Sequence, residues 1–364
     1  MRTSFDVTSS TGSYPVRIGA GLIDEAMSAP GERLFMVDAF LADRFRAAGL
    51  DALVIDADEH AKSLDRMTEV IVALRERRAT RATHLVAVGG GVVQDVAAFA
   101  ASIYMRGIDW TYAPTTLLSM TDSCIGGKSS INVGKYKNIV GTFHPPAAVL
   151  VDPVLTETLS AEQRAAGLVE AAKICLCRGP DSFARYLALQ PSTAADPDGF
   201  GAVCDHSLRA KKWFVETDEF DQNERLLLNF GHTFGHAIEA ASGFAISHGI
   251  GVGLGMLAAL QLGESMGRSY AGAPHVASFA RHIAALVDAA PGTDDALARL
   301  DMAELMDAFG SDKKHRRDQF AVITVSAAGL VQREFLPRDE RSAALIEHAY
   351  AGLIASRITA PAAV

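Results

Sequence analysis

Three histidines stand close together in the second half of the chain, at a spacing that metal sites use. His232 and His236 are four residues apart in LLLNFGHTFGHAIEAASGFAISHG, and His248 follows twelve residues after His236. On a helix, residues four apart share one face, and neutral imidazole is the commonest protein ligand for zinc. Spacing alone favours His232 with His236, but it leaves open which of the three bind. Core histidines with satisfied hydrogen bonds would produce the same pattern.

A carboxylate and a lysine occur in another apolar stretch upstream. In GLVEAAK, Glu170 and Lys173 are three residues apart, so a helix would place them on one face. Burying charged groups without partners costs several kcal/mol. Ionisable residues in alanine-rich helices therefore indicate a site.

Three consecutive glycines, Gly89, Gly90 and Gly91, stand in LVAVGGGVVQD between a strand-like apolar run and an apolar helical stretch. Glycines let the backbone approach a phosphate, and the N-terminus of the next helix offers free N–H groups. The GxGxxG spacing of the common dinucleotide motif is absent, so a tight turn without a ligand is the alternative. The position after a strand of an open α/β sheet favours a ligand.

A polar span follows, from residue 114 to residue 146, in which apolar stretches such as LLSM and NIVGTF alternate with lysines. This pattern favours charges that line a walled cleft, where lysines would neutralise phosphate oxygens. A solvated loop is the alternative. The candidate residues in the span are Thr115, Thr116, Asp122, Lys128, Lys137 and Asn138.

The elements that must position these residues change in character along the chain. Residues 1–157 alternate short apolar runs with amphipathic stretches, which predicts a parallel sheet wound with helices. Strands are predicted at 34–37, 52–55, 85–88, 110–113 and 149–151, and a helix at 63–78. Residues 158–364 are rich in alanine and leucine and predict a helical second domain.

Composition restricts the class of protein. The 364 residues are 49% hydrophobic and carry a net charge of −9, which disfavours binding to nucleic acid or to an anionic membrane. The start has no apolar core for a signal peptide, and no stretch is long enough to span a bilayer. Four cysteines at irregular spacing suggest reduced thiols. We expect a cytoplasmic protein.

Taken in order, these motifs resemble one family. GGGVVQD, MRG, PTTLL, DSCIGGK, GLVEAAK, RLLLNFGHTFGHAIEA and SDKK follow one another as in 3-dehydroquinate synthase, a sugar phosphate cyclase. The resemblance extends from about Asp38 to Lys314. It implies a Rossmann-like NAD-binding domain, an all-helical C-terminal domain of the dehydroquinate synthase type, a site between them and a homodimer. The fold is shared with glycerol dehydrogenase and other metal-dependent alcohol dehydrogenases.

The resemblance also implies a role for each matching residue. The metal, zinc or cobalt, would be held by Glu170, His232 and His248, in place of the His232–His236 pair that spacing favours. His236 matches a catalytic histidine, and Arg106 matches a residue that reaches the phosphate bound to the neighbouring subunit. The positions that match NAD contacts are Asp38, Glu59, Lys62, Gly89, Gly90, Gly91, Asp95, Thr115, Thr116, Lys137 and Thr158. The remaining substrate contacts match Asp122, Lys128, Asn138, Lys173, Lys211, Arg225, Asn229 and one lysine of the pair Lys313 and Lys314, for which we take Lys314.

The activity implied is a cyclisation in which NAD is a recycled redox catalyst. In the family, a ring hydroxyl is oxidised, phosphate is eliminated, the ketone is reduced again and the ring closes in an aldol step. Arg225 and Asn229 favour a substrate with a carboxylate, namely a seven-carbon phosphorylated keto acid or its amino analogue. The alternatives are a cyclase acting on sedoheptulose 7-phosphate, a metal-dependent alcohol dehydrogenase, and an inactive relative that only binds ligands.

Two departures from the family pattern lie near these motifs. Gln94 stands where the family usually has glycine, so its side chain would crowd the cofactor or hydrogen bond to it. Ile250 stands where a glutamate is usual.

Overall fold

The computed structural model describes residues 2–134 and 136–358, and within them eleven strands. The strands are β1 (Arg2–Ser9), β2 (Gly12–Gly19), β3 (Arg33–Asp38), β4 (Ala52–Ile55), β5 (His84–Gly89), β6 (Trp110–Pro114), β7 (Ile131–Val133), β8 (Tyr136–Val140), β9 (Ala148–Val151), β10 (Gln319–Val325) and β11 (Val331–Pro337).

Thirteen α-helices are assigned over the same part of the chain. They are α1 (Leu22–Ser28), α2 (Ala42–Ala47), α3 (Leu64–Glu76), α4 (Gly91–Ile103), α5 (Ala161–Arg178), α6 (Pro180–Ala188), α7 (Pro197–Thr217), α8 (His232–Ala241), α9 (His248–Ser265), α10 (Pro274–Val287), α11 (Thr293–Ala298), α12 (Met302–Gly310) and α13 (Glu340–Ile358). No helix in these residues is both long enough and apolar enough to cross a membrane.

The chain forms two compact units. The first contains residues 2–159 and Ala195–Phe220, and the second contains Ser160–Ala194 and residues 221–358. The sequence-based division places the boundary between 157 and 158 and assigns everything after it to one domain. The structure instead groups α7 with the first unit, where its side chains bind residues of the sheet loops, as described below.

The first unit is built on a seven-stranded mixed sheet with the order β1-β2-β9-β6-β5-β3-β4. The five strands predicted from apolar runs all form, as β3, β4, β5, β6 and β9, and the predicted helix is α3. These five are parallel because helices and loops cross over between them. The antiparallel pair β1–β2 was not predicted, since β1 (RTSFDVTS) is mostly polar and lies at the edge of the sheet.

The sheet has a topological switch between β3 and β5. From β3 the chain continues to β4 on one side, whereas from β5 it continues to β6 and β9 on the other. In open α/β sheets, ligands bind in the crevice at the carboxyl ends of the strands at such a point. A buried cluster under the sheet holds these strands in place, including Phe35, Val37, Val86 and Val88.

The second unit is helical, as predicted, but it also contains the hairpin of β10 and β11. The domain is therefore not all-helical. The apolar run FAVITV in β10 is rich in β-branched residues, which favour strands. The prediction of helices throughout residues 158–364 did not take this local signal into account.

Helices α8 and α9 lie in direct backbone contact. A Cβ on Gly235 of α8 would lie 2.6 Å from the carbonyl oxygen of Gly251, and one on Gly255 of α9 would lie 2.0 Å from the carbonyl oxygen of Gly231. Only glycine permits this approach. It brings the starts of the two helices, which carry the histidines, close together.

Candidate functional site

The glycine loop lies at the switch point of the sheet. Gly89 ends β5, and Gly90 is the residue before the first turn of α4. A Cβ on Gly89 would lie 2.5 Å from Val93, and one on Gly90 would lie 3.0 Å from the methyl of Thr116, whereas Gly91 faces open space. The loop therefore presents backbone at the N-terminus of a helix, as a phosphate site requires.

Asp38 ends β3, the neighbouring strand, and so stands beside this loop. The register pairs Val37 with Val88, which places Asp38 next to Gly89 at the carboxyl edge. Its carboxylate accepts a hydrogen bond from the Phe40 N–H at 2.9 Å. An acidic residue and a glycine loop at one edge fit the ribose and phosphates of a dinucleotide.

A buried ion pair lies behind the glycine loop. Lys62 Nζ is 2.6 Å from Asp95 Oδ2, and the Ser130 N–H donates to Asp95 Oδ1 at 2.9 Å. Burial raises the pKa of Asp95 to about 6, because it outweighs the stabilising charge of Lys62. At neutral pH Asp95 is still mostly ionised, so it holds Lys62 as an ion pair.

Asn132, which the sequence did not single out, connects several of the predicted residues. Its amide donates to Glu59 Oε1 at 2.7 Å and its Oδ1 accepts from the Asn138 N–H at 2.9 Å. Its own N–H donates to the Lys62 carbonyl at 2.8 Å. An asparagine between two apolar residues of a short strand gives no sequence signal for this role.

Asp122 and Lys211 meet although 89 residues separate them. Lys211 Nζ lies 2.6 Å from Asp122 Oδ1 and donates to the Asp122 carbonyl at 2.6 Å. Lys211 reaches it from α7, and Ser207 of the same helix donates to the Thr121 carbonyl at 2.9 Å. These contacts explain why α7 belongs to the first unit.

Gln94 does not project into the open space at the glycine loop. It is 4% exposed, its amide donates to the Ser123 carbonyl at 2.7 Å, and the Ser123 hydroxyl donates to its Oε1 at 2.5 Å. The side-chain amide is thus engaged with Ser123, and the expected crowding of the cofactor or bond to it stays a prediction. Gln94 ties α4 to the π-helical turn Ser119–Ser123 that carries Asp122.

The other predicted residues of the first unit lie in its loops. Thr115 donates its N–H to the Gly89 carbonyl at 3.1 Å, and Lys128 Nζ lies 5.9 Å from the ring centre of Phe143. Lys137 is exposed on β8, and Thr158 is exposed at the end of a 3₁₀ helix after β9.

Arg106 is exposed in a turn of unusual backbone. Met105, Arg106 and Gly107 all have positive φ, at 49°, 70° and 116°. Non-glycine residues held in this region cost about 1–3 kcal/mol each and concentrate at functional sites.

In the second unit, the three histidines and Glu170 converge. One ring nitrogen from each of His232, His236 and His248 lies within 4.8 Å of the others. Glu170 Oε1 lies 3.8 Å from His232 Nε2 and 3.9 Å from His248 Nε2. Ligand atoms of a tetrahedral zinc site are separated by about 3.4 Å, so each of the two Glu170–histidine distances exceeds that spacing by only about half an ångström.

This donor set fits a divalent metal. Two or three imidazoles with one carboxylate are typical of catalytic zinc. The rings of His236 and His248 are surrounded by protein atoms but keep solvent-accessible surface, which leaves access for a further ligand. Glu170 is 1% exposed and forms an ion pair with Lys173, three residues along α5. The predicted pair on one helical face is therefore present.

The three imidazoles have different proton affinities. Burial, reinforced by the charge of Lys173, lowers the pKa of His232 well below its ordinary value. Burial and the charge of Lys314 lower the pKa of His236 to about 4. Burial also acts to lower the pKa of His248, but the hydrogen bond and charge of Glu239 and the charge of Glu170 outweigh it, and that pKa is raised.

Lys314, rather than Lys313, is the partly buried lysine of the DKK motif. Its Nζ lies 3.3 Å from Asp312 Oδ2, and its charge acts on His236. Burial lowers the pKa of Lys314, and the charge of Asp312 only partly offsets this.

Arg225 and Asn229 lie in a 3₁₀ helix, Glu224–Asn229, so they are not stacked on one face. With three residues per turn, positions four apart are rotated by about 120°. Arg225 is 4% exposed, and the Asn229 amide donates to the Leu226 carbonyl at 3.1 Å.

Comparison with known proteins gives matches over most of the chain. The family models for the 3-dehydroquinate synthase N-terminal and C-terminal regions match residues 52–166 and 167–315. The 3-dehydroquinate synthase of Nitrobacter winogradskyi is 38% identical over 352 residues, covering 89% of this chain and 90% of the relative.

Two solved structures share the fold. A 2-deoxy-scyllo-inosose synthase, complexed with carbaglucose-6-phosphate, NAD+ and Co2+, has a TM-score of 0.81 at 22% identity, covering 96% of this chain and 99% of that one. The 2-epi-5-epi-valiolone synthase of Streptomyces hygroscopicus, with NAD+ and Zn2+ bound, has a TM-score of 0.76 at 24% identity, covering 93% and 96%.

Proposed function

Because this chain belongs to the 3-dehydroquinate synthase family, we propose that it is a sugar phosphate cyclase that uses NAD and a divalent metal, zinc or cobalt. The substrate is a seven-carbon phosphorylated keto acid, and the product is a carbocycle formed with elimination of phosphate. The enzyme is thus a carbon–oxygen lyase with no net redox change. The observation that carries this proposal is the convergence of Glu170 with His232 and His248, beside Lys173 and His236.

The two cofactors have separate sets of residues. Glu170, His232 and His248 would hold the metal, whereas the glycine loop, Asp38 and the Lys62–Asp95 pair would hold NAD. The remaining NAD contacts are Glu59, Thr115, Thr116, Lys137 and Thr158. When bound, the metal supplies a Lewis acid for the substrate oxygens, and NAD supplies reversible hydride transfer.

The side chains near the metal ligands hold the anionic substrate and its protons. Lys173, 1% exposed, provides a fixed positive charge next to the metal ligands. His236, with a pKa of about 4, is neutral at neutral pH and accepts a hydrogen bond from a substrate hydroxyl. Lys314 provides a second positive charge, beside His236. In the first unit, Lys128, Asn138 and the Asp122–Lys211 pair are the further substrate contacts.

Arg225 and Asn229 support a carboxylate on the substrate. A guanidinium forms two parallel hydrogen bonds with a carboxylate. A sugar phosphate without a carboxylate has no such group to bind. The 2-deoxy-scyllo-inosose synthase above is complexed with an analogue without a carboxylate, so a neutral sugar phosphate is the competing substrate class.

The enzyme acts as a homodimer in which Arg106 contacts the phosphate bound to the other subunit. The strained, exposed backbone at Met105, Arg106 and Gly107 supports such a role for Arg106.

The test is to incubate the purified chain, NAD and Zn2+ with the keto acid phosphate, its amino analogue or sedoheptulose 7-phosphate. We expect the keto acid to release phosphate far in excess of the NAD supplied, without accumulation of NADH, and to give a product of the mass of the carbocycle. A control lacking NAD should release none. One NADH per product would identify a dehydrogenase, and cyclisation of sedoheptulose 7-phosphate alone would overturn the carboxylate assignment.

A further inference from the structure

The imidazole of His248 is held on both sides by carboxylates. Its Nδ1 lies 3.0 Å from Glu239 Oε1, and its Nε2 lies 3.9 Å from Glu170 Oε1. An ionised carboxylate only accepts hydrogen bonds, so Nδ1 carries the proton in its bond with Glu239. In the neutral imidazole, Nε2 then keeps its lone pair on the side of Glu170 and His232.

Glu239 is itself fixed. It lies near the end of α8, its side chain is 12% exposed, and its carbonyl accepts hydrogen bonds from the Phe244 N–H at 2.8 Å and from the Ser242 hydroxyl at 3.0 Å. The backbone that carries the carboxylate is therefore tied to the turn that leads towards α9.

Helix α9 leaves space for this side chain. A Cβ on Gly251 would lie 2.9 Å from Cγ and 3.2 Å from Oε1 of Glu239. Gly251 is three residues after His248 on the same helix, so the residue that admits Glu239 and the imidazole that Glu239 holds belong to one turn. A side chain at position 251 would therefore push Glu239 away from its place beside His248.

We propose that Glu239 is a positioning residue of the metal centre, which fixes the tautomer and the orientation of His248 so that Nε2 faces the ion. The inference rests on the proposed metal ligands Glu170, His232 and His248, and it adds a residue that contacts a ligand rather than the ion. Carboxylates that accept from the second nitrogen of a histidine ligand orient the ring and increase its basicity as a ligand. Their loss typically weakens metal binding 10- to 100-fold.

Two conservative variants separate geometry from charge. Glu239→Gln keeps a carbonyl oxygen at the same reach and loses the charge, whereas Glu239→Asp keeps the charge and shortens the side chain by one methylene. If Glu239 acts by holding the ring, Asp should weaken metal binding more than Gln. A purely electrostatic role would give the opposite order.

The matched control is Glu162→Ala. Glu162 Oε1 accepts from the Ser247 hydroxyl at 2.6 Å, so this carboxylate supports the residue next to His248 without touching the imidazole. A fall in metal affinity caused by general loosening of the start of α9 would occur in both Glu162→Ala and Glu239→Ala.

The experiment measures the dissociation constant of Zn2+ for the full chain by competition with a chelator, and the visible absorption of the Co2+ form. We expect Glu239→Ala and Glu239→Asp to bind Zn2+ about 10- to 100-fold more weakly than wild type, with an altered Co2+ spectrum. Glu239→Gln should retain most of the affinity, and Glu162→Ala should bind like wild type. Circular dichroism of the metal-free chains checks that each variant is folded.

Equal affinity in wild type and all Glu239 variants would overturn the inference while leaving the metal site intact. An equal loss in Glu162→Ala, or a weaker Gln than Asp variant, would also overturn it. A wild-type chain that binds no Zn2+ would remove both the proposed metal set and this inference. If Glu239→Ala fails to fold, the comparison of Gln with Asp decides.

Discussion

The three histidines His232, His236 and His248 differ in their contact with Glu170 and in their pKa, so their substitutions should affect metal binding differently. The Nε2 atoms of His232 and His248 each lie within 4 Å of Glu170 Oε1. The ring of His236, also on α8, contacts the ring of His232. His232 has a lowered pKa and His248 a raised one, so protons compete with a metal first at His248.

We therefore expect His232→Ala and His248→Ala to abolish stoichiometric Zn2+ binding, and His236→Ala to leave it largely intact. Elemental analysis after dialysis measures the metal content of each chain. Affinity should fall as pH decreases through the raised pKa of His248, because the protonated imidazole cannot bind an ion. Loss of metal in His236→Ala but not in His248→Ala would contradict the assignment.

Arg225 tests the substrate class. If its guanidinium binds the substrate carboxylate, Arg225→Ala should lower kcat/KM for the keto acid by roughly 10- to 150-fold, since a charge-assisted hydrogen bond contributes about 1.5–3 kcal/mol. Arg225→Lys should recover only part of this, because an ammonium lacks the planar fork.

The affinity for NAD should not change in either Arg225 variant. Arg209→Ala is the control, since Arg209 is a half-exposed arginine that forms an ion pair with Asp205 on α7. A loss of activity of the same size in Arg209→Ala, or none in Arg225→Ala, would exclude the role in substrate binding.

Among the elements, the contact of α8 with α9 does most to assemble the metal ligands. Gly235 and Gly255 bring the two backbones together, so any side chain at either position must separate the helices. The separation would also move His232 and His236 away from His248.

Gly235→Ala and Gly255→Ala should each lower the free energy of unfolding by about 1–3 kcal/mol or more through overpacking, against a helix-propensity gain of about 1 kcal/mol. Both should also weaken Zn2+ binding. Gly272→Ala, where nothing lies within 4 Å of the added carbon, should change stability by less than about 0.5 kcal/mol. Urea unfolding measures the first effect, and unaltered stability of the α8 and α9 variants would contradict it.

The sequence predicts elements well where local pattern decides them. The buried runs of β3 and β5 are apolar, that of β6 is apolar but for Thr111, and α3 buries Met67, Val70 and Leu74 on one face. Contacts between distant residues are not encoded in this way. Lys211 contacts Asp122, and Glu170 contacts His232 and His248, although tens of residues separate these partners in the sequence. Short-range residue spacing cannot predict such contacts. Spacing favours His232 with His236 as the metal pair, and only the resemblance assigned Glu170 and His248 to the metal together with His232.

At the scale of the whole molecule, the proposed dimer places Arg106 of each subunit at the site of the other. This arrangement predicts complementation between two inactive variants. Arg106→Ala and His232→Ala should each have strongly reduced activity as homodimers. In a mixed dimer, one site would combine an intact Arg106 with an intact His232.

Co-expression of the two variants should therefore restore activity, to about a quarter of the wild-type value if subunits pair at random. A pair of His232→Ala with His248→Ala is the control, because both sites of that mixed dimer lack a metal ligand. Light scattering should give about twice the chain mass of 38.6 kDa. No recovery in the first pair would mean that Arg106 acts within its own subunit or not at all.

Helix α7 belongs to the first unit but follows α5 and α6 of the second unit in the sequence, and this sets an order for folding during synthesis. The sheet is complete on the growing chain by β9, yet Asp122 lacks Lys211 until the ribosome has made α7. At about 5–20 residues per second, the roughly sixty residues after β9 take about 3–12 s. During that interval α5 and α6 of the second unit emerge first, so neither unit can finish folding before the other has begun.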